Sequence, residues 1–231
     1  MEFVAKKTSH EFHEFISRLR GFGNFVKVAA LEGLVMERAV FLDRDGTVSE
    51  EVGYIREIDR FQIYSYAPLA IRKLNQAGLR TFLVTNQSGV ARGIFSEDLI
   101  HEIHTKLEKE LREESAHLDA IYYCPHHPEG SIPSYRQDCN CRKPKTGMIQ
   151  QAALDFDLDL GSSFVVGDKY LDMELAFRAG ARAILVLSGY GHEQYRLGRQ
   201  TWPRQPDYVA ANLLEAAEWI VAEVQRECAT D

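Results

Sequence analysis

The sequence predicts an α/β fold: a mostly parallel, Rossmann-like sheet with helices on both faces. From residue 38 onward, short apolar runs alternate with helix-length patterns, the rhythm of strand–helix units in which the helices cover the sheet. Runs such as "SFVVG" at 163 and "ARAILVL" at 181 are apolar enough to be strands buried on both sides. With 231 residues, 45% of them hydrophobic, the chain has material for one sizeable core. A net charge of -7 leaves no basic footprint for nucleic-acid phosphates. No apolar run approaches a bilayer span, and the start "MEFVAKKTSHEFHEF" lacks the apolar centre of a signal peptide. The chain therefore reads as cytoplasmic, without nucleic-acid or membrane partners.

The elements follow in order. Residues 1–37 stand outside the rhythm, although Phe12, Phe15, Ile16 and Leu19 share one helical face, which predicts a short helical extension. "RAVFL" at 38 predicts the first strand, "APLAIRKLNQAG" at 67 a helix, and "LRTFLV" at 79 the second strand. Ser96 is a natural N-cap for the helix in "SEDLIHEIHTKLEKELREES". "LDAIYY" at 118 precedes a cysteine-rich loop, "GMIQQAALDF" at 147 is helical, and "LDMELAFRAG" lies between the strands at 163 and 181. "PDYVAANLLEAAEWIVAEV" closes the chain with a strand and a helix. The domain proper spans 38–231.

In "AVFLDRDGTV" the first strand runs directly into Asp43 and Asp45, then Gly46 and Thr47. Ligands bind at the carboxyl ends of strands in open parallel sheets, so both carboxylates fall on the active edge. Taken alone, the pair suits a capping turn equally well. Three more signals follow: Thr85 and Asn86 in "FLVTNQSG", Lys143 in "CRKPKTG", and Asp168 in "VVGDKYLDM" with Asp172 four residues on. Each has a bland reading in isolation, Thr85 as a strand-end hydroxyl and Lys143 as a solvated lysine.

Together and in this order, they resemble the motifs of haloacid dehalogenase superfamily phosphatases. The resemblance implies a Mg²⁺-dependent enzyme with Asp43 as nucleophile, forming an aspartyl-phosphate, and Asp45 as general acid and then general base. It implies Mg²⁺ bound by the Asp43 side chain, the Asp45 backbone carbonyl and Asp168, an oxygen set that a hard cation prefers. Thr85 and Lys143 fit as donors to phosphoryl oxygens, assisted by the Asn86 backbone N–H. Asp172 either supports the metal's ligands or interacts with its own helix N-terminus.

The loop 124–141 spaces its ligands as Cys124-x-His126, twelve residues, then Cys139-x-Cys141. Three thiolates and an imidazole form a closed tetrahedral set for structural zinc, and His127 is the competing nitrogen. Cys228 lies apart near the C-terminus. The combination of "FLDRDGTV", "GYI", "VTNQSGVARG", "YYCPHHP" and "C-x-C-RKP" is similar to bacterial D-glycero-D-manno-heptose 1,7-bisphosphate 7-phosphatases. That family's zinc loop maps onto Cys124, His126, Cys139 and Cys141. Its Arg-Lys pair maps onto Arg142 and Lys143, with Arg142 contacting a small sugar phosphate substrate bidentately.

The segment between the first strand and first long helix is too short for a cap domain, so a minimal cap is expected, with loops walling the pocket. Gln87, Ser88 and Arg92 are candidates beside the zinc loop. The resemblance implies hydrolysis of the 7-phosphate in nucleotide-activated heptose synthesis. Histidinol-phosphate hydrolysis is the nearest rival, since relatives with that activity share these features. A phosphoryl-accepting receiver domain is a rival of another class, disfavoured by the Asp two residues after the nucleophile. Oligomeric state stays open, with a monomer favoured.

Overall fold

The computed structural model describes residues 36–229. The helical reading of the N-terminal extension, with Phe12, Phe15, Ile16 and Leu19, lies outside the described residues. The described chain runs β1 (Ala39–Leu42), α1 (Ala67–Gln76), β2 (Arg80–Asn86), α2 (Glu97–Glu113), β3 (Ala120–Cys124) and α3 (Gly147–Phe156). It continues through β4 (Phe164–Gly167), α4 (Tyr170–Ala179), β5 (Arg182–Val186), α5 (Gly191–Gly198), β6 (Tyr208–Ala210) and α6 (Leu213–Cys228). The six strands lie in the order β3-β2-β1-β4-β5-β6. Every pairing is parallel, as the alternating pattern predicted.

Side chains two apart on a strand share a face, so each strand feeds two cores. Val40 and Leu42 join Phe164, Val166, Ile184 and Val186 under α1, α2 and α6, through Ile71, Leu107 and Ile220 among others. Ala39 and Phe41 join Phe82, Val84, Val165 and Leu185 under α3 and α4, through Ile149 and Met173. Each fully buried Leu or Ile in these clusters contributes about 1.5–3 kcal/mol. Loss of either helical layer would uncover a whole sheet face.

Local chemistry sets the helix ends. Ser96 Oγ accepts from Leu99 N at 3.3 Å, the cap predicted for α2. Asn212 Oδ1 accepts from Leu214 and Glu215 N–H at 3.0 and 3.2 Å and starts α6. Gly180 ends α4 in the left-handed conformation, which its missing Cβ permits. The sequence reading held no helix in "GYGHEQYRLG", yet α5 forms there. Gly189 and Gly191 mask its signal, and Gly191 is needed because a Cβ would collide with the Val186 carbonyl oxygen.

The chain moves outward from β1 to β3 and then returns across β1 to β4. The strand order thus reverses between β1 and β4, and a crevice opens there at the strands' carboxyl ends. Between β1 and α1 lie a three-residue 3₁₀ turn, Ile58–Arg60, and isolated bridges joining Asp45 to Ser49 and Ser49 to Ile63. This agrees with a minimal cap.

Candidate active site

Asp43 extends β1 past its last residue, its N–H donating to the Val166 carbonyl on β4 at 2.9 Å. The chain then turns sharply at Gly46, where φ is +84° and a Cβ would collide with the Asp168 carboxylate. Any L-residue there would add about 1–2 kcal/mol of backbone strain. The turn brings both ends of the motif against β4.

Lys143 comes from the far side, at the exit of the cysteine loop, and its side chain is 2% exposed. Its Nζ lies 2.8 Å from Asp43 Oδ1 and 2.7 Å from Asp172 Oδ1, and donates to the Val84 carbonyl at 3.0 Å. Burial alone would lower the Lys143 pKa, but Asp172 and Asp43 outweigh it and raise it above the usual lysine range. The Asn86 side chain fixes the lysine's backbone: Oδ1 accepts from Lys143 N at 3.0 Å and Nδ2 donates to Lys143 O at 3.2 Å. The sequence reading considered only the Asn86 backbone. Of the two roles expected of Asp172, the contact with its own helix N-terminus is present: its Oδ2 accepts the Lys169 N–H at the start of α4, at 3.2 Å.

Asp43, Asp168 and Asp172 present carboxylate oxygens within 4.8 Å of one another. Asp168 is fully buried; Tyr190 N donates to its Oδ2 at 2.8 Å, while Oδ1 has no hydrogen-bond partner and lies 3.9 Å from the Lys169 ammonium. Burial, followed by the nearby Asp43, pushes the Asp168 carboxyl up to about 8. An unsatisfied buried oxygen in an all-carboxylate cluster fits a hard divalent cation, which supplies the missing partner and relieves the crowding. Asp172, already committed to Lys143 and Lys169, joins this cluster from outside the set read from sequence.

Cys124, His126, Cys139 and Cys141 also converge, with ligand atoms within 4.8 Å of one another and every cysteine free. The Cys124–Cys139 and Cys139–Cys141 sulfurs are 3.4 and 3.1 Å apart, and His126 Nδ1 is 3.3 Å from Cys141 Sγ and 3.8 Å from Cys124 Sγ. Zinc–sulfur bonds of about 2.3 Å give tetrahedral edges of about 3.8 Å, so the set can close around zinc. His127 faces away, with Nε2 3.0 Å from Arg92 Nη2 and Nδ1 accepting from Glu129 N at 3.1 Å. The loop is tied to the sheet by register, since Cys124 on β3 pairs with Asn86 on β2. It is tied to α2 by Tyr135, whose hydroxyl donates to Glu97 at 2.6 Å. Arg142 Nη1 donates to His126 O at 3.2 Å.

A cleft of about 210 Å³ is lined by Asp43, Asp45, Thr85, Arg142, Lys143 and Lys169, among others. A neighbouring cleft shares Asp45, Asn86, Ser88 and Lys169, and adds Tyr54, Phe95 and Tyr190. The sequence reading missed Lys169, whose Nζ sits 2.9 Å from Glu51 and 4.7 Å from the Tyr190 ring centroid. It also missed Arg44 and the inward turn of Gln87, which donates to both Asp45 Oδ2 and Thr85 Oγ1 at 2.9 Å. Lys169 did have a signal, since it directly follows the motif aspartate after a buried strand.

A doubly wound parallel sheet, an aspartate pair after β1, a lysine from a later loop and a carboxylate after β4 define the haloacid dehalogenase-like hydrolases. The family described as HAD-hydrolase-like matches residues 140–216. A D-glycero-D-manno-heptose-1,7-bisphosphate 7-phosphatase of Thermosynechococcus vestitus is 45% identical over 186 residues, 79% of this chain and 94% of the relative. The corresponding β-anomer enzyme of Yersinia pestis is 43% identical over 65% of this chain and 81% of its own. Among solved structures, D,D-heptose 1,7-bisphosphate phosphatase from B. bronchiseptica, complexed with magnesium and phosphate, superimposes with a TM-score of 0.72. It is 33% identical and aligns with 80% of this chain and 99% of its own. The chain belongs to the haloacid dehalogenase-like D-glycero-D-manno-heptose-1,7-bisphosphate 7-phosphatase family.

Proposed function

We propose that the protein, through its domain at 38–231, hydrolyses the 7-phosphate of D-glycero-D-manno-heptose 1,7-bisphosphate. The observation that carries the chemistry is Lys143 Nζ, within 2.8 Å of both Asp43 and Asp172 in the cleft at the β1/β4 reversal. An ammonium there keeps Asp43 ionised as a nucleophile and offers N–H donors to a phosphoryl group. The substrate assignment is supported by the relatives' names and the extent of the alignments.

Asp43 attacks phosphorus and the bond to the sugar C7 oxygen breaks, while Asp45 gives its proton to the departing alkoxide. Water then attacks the acyl phosphate as Asp45 takes its proton, releasing inorganic phosphate and restoring the Asp43 carboxylate. Thr85 and Lys143 hold phosphoryl oxygens, and Arg142, launched from the cysteine loop, contacts the substrate. Asp43, the Asp45 backbone carbonyl and Asp168 would hold Mg²⁺, which would supply charge neutralisation for the transferring phosphoryl group. Zinc held by Cys124, His126, Cys139 and Cys141 would be structural, because the four protein ligands would fill a tetrahedral set. No helix among the described residues is long and apolar enough to cross a membrane, which suits an enzyme acting on a small sugar phosphate in the cytoplasm.

Steady-state kinetics on both C1 anomers of the heptose bisphosphate and on histidinol phosphate tests the assignment. A heptose bisphosphate is expected to give the highest kcat/KM. A markedly higher value for histidinol phosphate would overturn the substrate.

A further inference from the structure

Arg44 lies between the two aspartates of the first motif, and arginine side chains are mostly exposed. Its side chain is instead 3% exposed. Nε donates to Asp45 Oδ1 at 3.0 Å and Nη2 to Asp45 Oδ2 at 2.9 Å. Among the described residues Asp45 is its one ion-pair partner, and the Phe61 ring packs against the guanidinium at 5.7 Å. Desolvating a guanidinium is costly, and a pair buried merely for stability could be replaced by apolar side chains without loss.

The grip is more specific than an ion pair. A guanidinium fork matches both carboxylate oxygens at once and fixes the carboxylate plane. Gln87 adds a third donor at Oδ2, 2.9 Å away, and ties the same carboxylate to the Thr85 hydroxyl. The Arg44 carbonyl also accepts Val48 and Ser49 N–H at 2.9 Å, so the residue that orients the Asp45 side chain closes the turn carrying it.

We propose that Arg44 and Gln87 are positioning residues, holding the Asp45 carboxylate at the angle from which it exchanges a proton with the leaving alkoxide and the incoming water. This rests on the acid–base role assigned to Asp45 above. A structural role would affect all substrates alike. A positioning role acts only where a proton must be delivered, and nitrophenolate, unlike a sugar alkoxide, leaves without one.

Arg44→Met, Arg44→Lys and Gln87→Leu would therefore be assayed on the heptose bisphosphate and on p-nitrophenyl phosphate, with melting temperature and zinc content confirming the fold. For each variant that folds, kcat/KM on the sugar phosphate should fall about 10- to 100-fold, the scale of a misplaced proton donor. In the Arg44 variants the value on p-nitrophenyl phosphate should stay within about threefold, since its leaving group needs no acid, whereas Gln87→Leu also frees the Thr85 hydroxyl and should lose activity on both substrates, more on the sugar phosphate. Arg44→Lys, with charge but no fork, should show the selective loss too. Equal losses on both substrates, or none on either, would overturn the proposal. Asp45→Asn run alongside separates the two ideas: if it fails to discriminate between the substrates, the acid role of Asp45 fails, not the positioning by Arg44.

Discussion

Lys143 and Asp168 show how burial changes the meaning of a residue. A lysine in "CRKPKTG" reads as a solvated charge unless the chain delivers it to a carboxylate. Here Asn86 grips its backbone and Asp43 and Asp172 its ammonium. Asp168 carries the opposite strain, raised to about 8 by burial and by Asp43, against about 3.9 in an unfolded chain. Between those values the folded state binds more protons than the unfolded one, so Mg²⁺-free protein should lose stability as pH rises across that window. A bound cation replaces the proton, and the increase in melting temperature caused by Mg²⁺ should be larger near pH 8 than near pH 6. An increment independent of pH would contradict placing the ion at Asp168. At this scale the motif aspartates, Thr85, Lys143 and the loop ligands were legible in the sequence, because spacing and order identify them. Arg44 and Gln87 were not, because their inward orientation depends on Phe61, Thr85 and Asp45 meeting in space.

Among the elements, the cysteine loop has the widest consequences. It leaves β3 at Cys124, is tied to α2 through Tyr135 and Glu97, and returns at Cys141, one residue before Arg142 and two before Lys143. Closing the four ligands around zinc would fix the origin of both basic side chains and so link metal and site mechanically. Cys139→Ser should lower zinc from about one per chain to well below one and reduce kcat/KM on the sugar phosphate at least about tenfold, as loss of a ligand or its support does. Elemental analysis with kinetics checks this, and full activity without zinc would break the link. Strands and long helices were readable from periodicity and caps, Ser96 included. The helix α5 was not, since Gly189 before it and Gly191 at its start are dictated by the close approach to the Asp168 carboxylate and the Val186 carbonyl, contacts that exist only after folding.

At the scale of the whole molecule, the strand order β3-β2-β1-β4-β5-β6 explains why residues more than a hundred positions apart form one centre. The reversal between β1 and β4 places Asp43 beside Asp168, and β2 next to β1 brings Thr85 and Asn86 to the same edge. The alternation of strands and helices predicts a parallel sheet, while the motif order predicts which strand ends must be neighbours. The second cleft, with Tyr54, Phe95 and Tyr190, had no comparable signal because its walls come from three separate connections. The central claim is that phosphoryl transfer passes through Asp43. Rapid quenching of the enzyme with heptose bisphosphate labelled at the 7-phosphate, followed by mapping of the labelled peptide, tests it most directly. The label should appear on Asp43 before inorganic phosphate is released, and should be absent in Asp43→Asn, which should retain its fold and zinc content but not turn over. Turnover by Asp43→Asn, or label on another residue, would contradict the account.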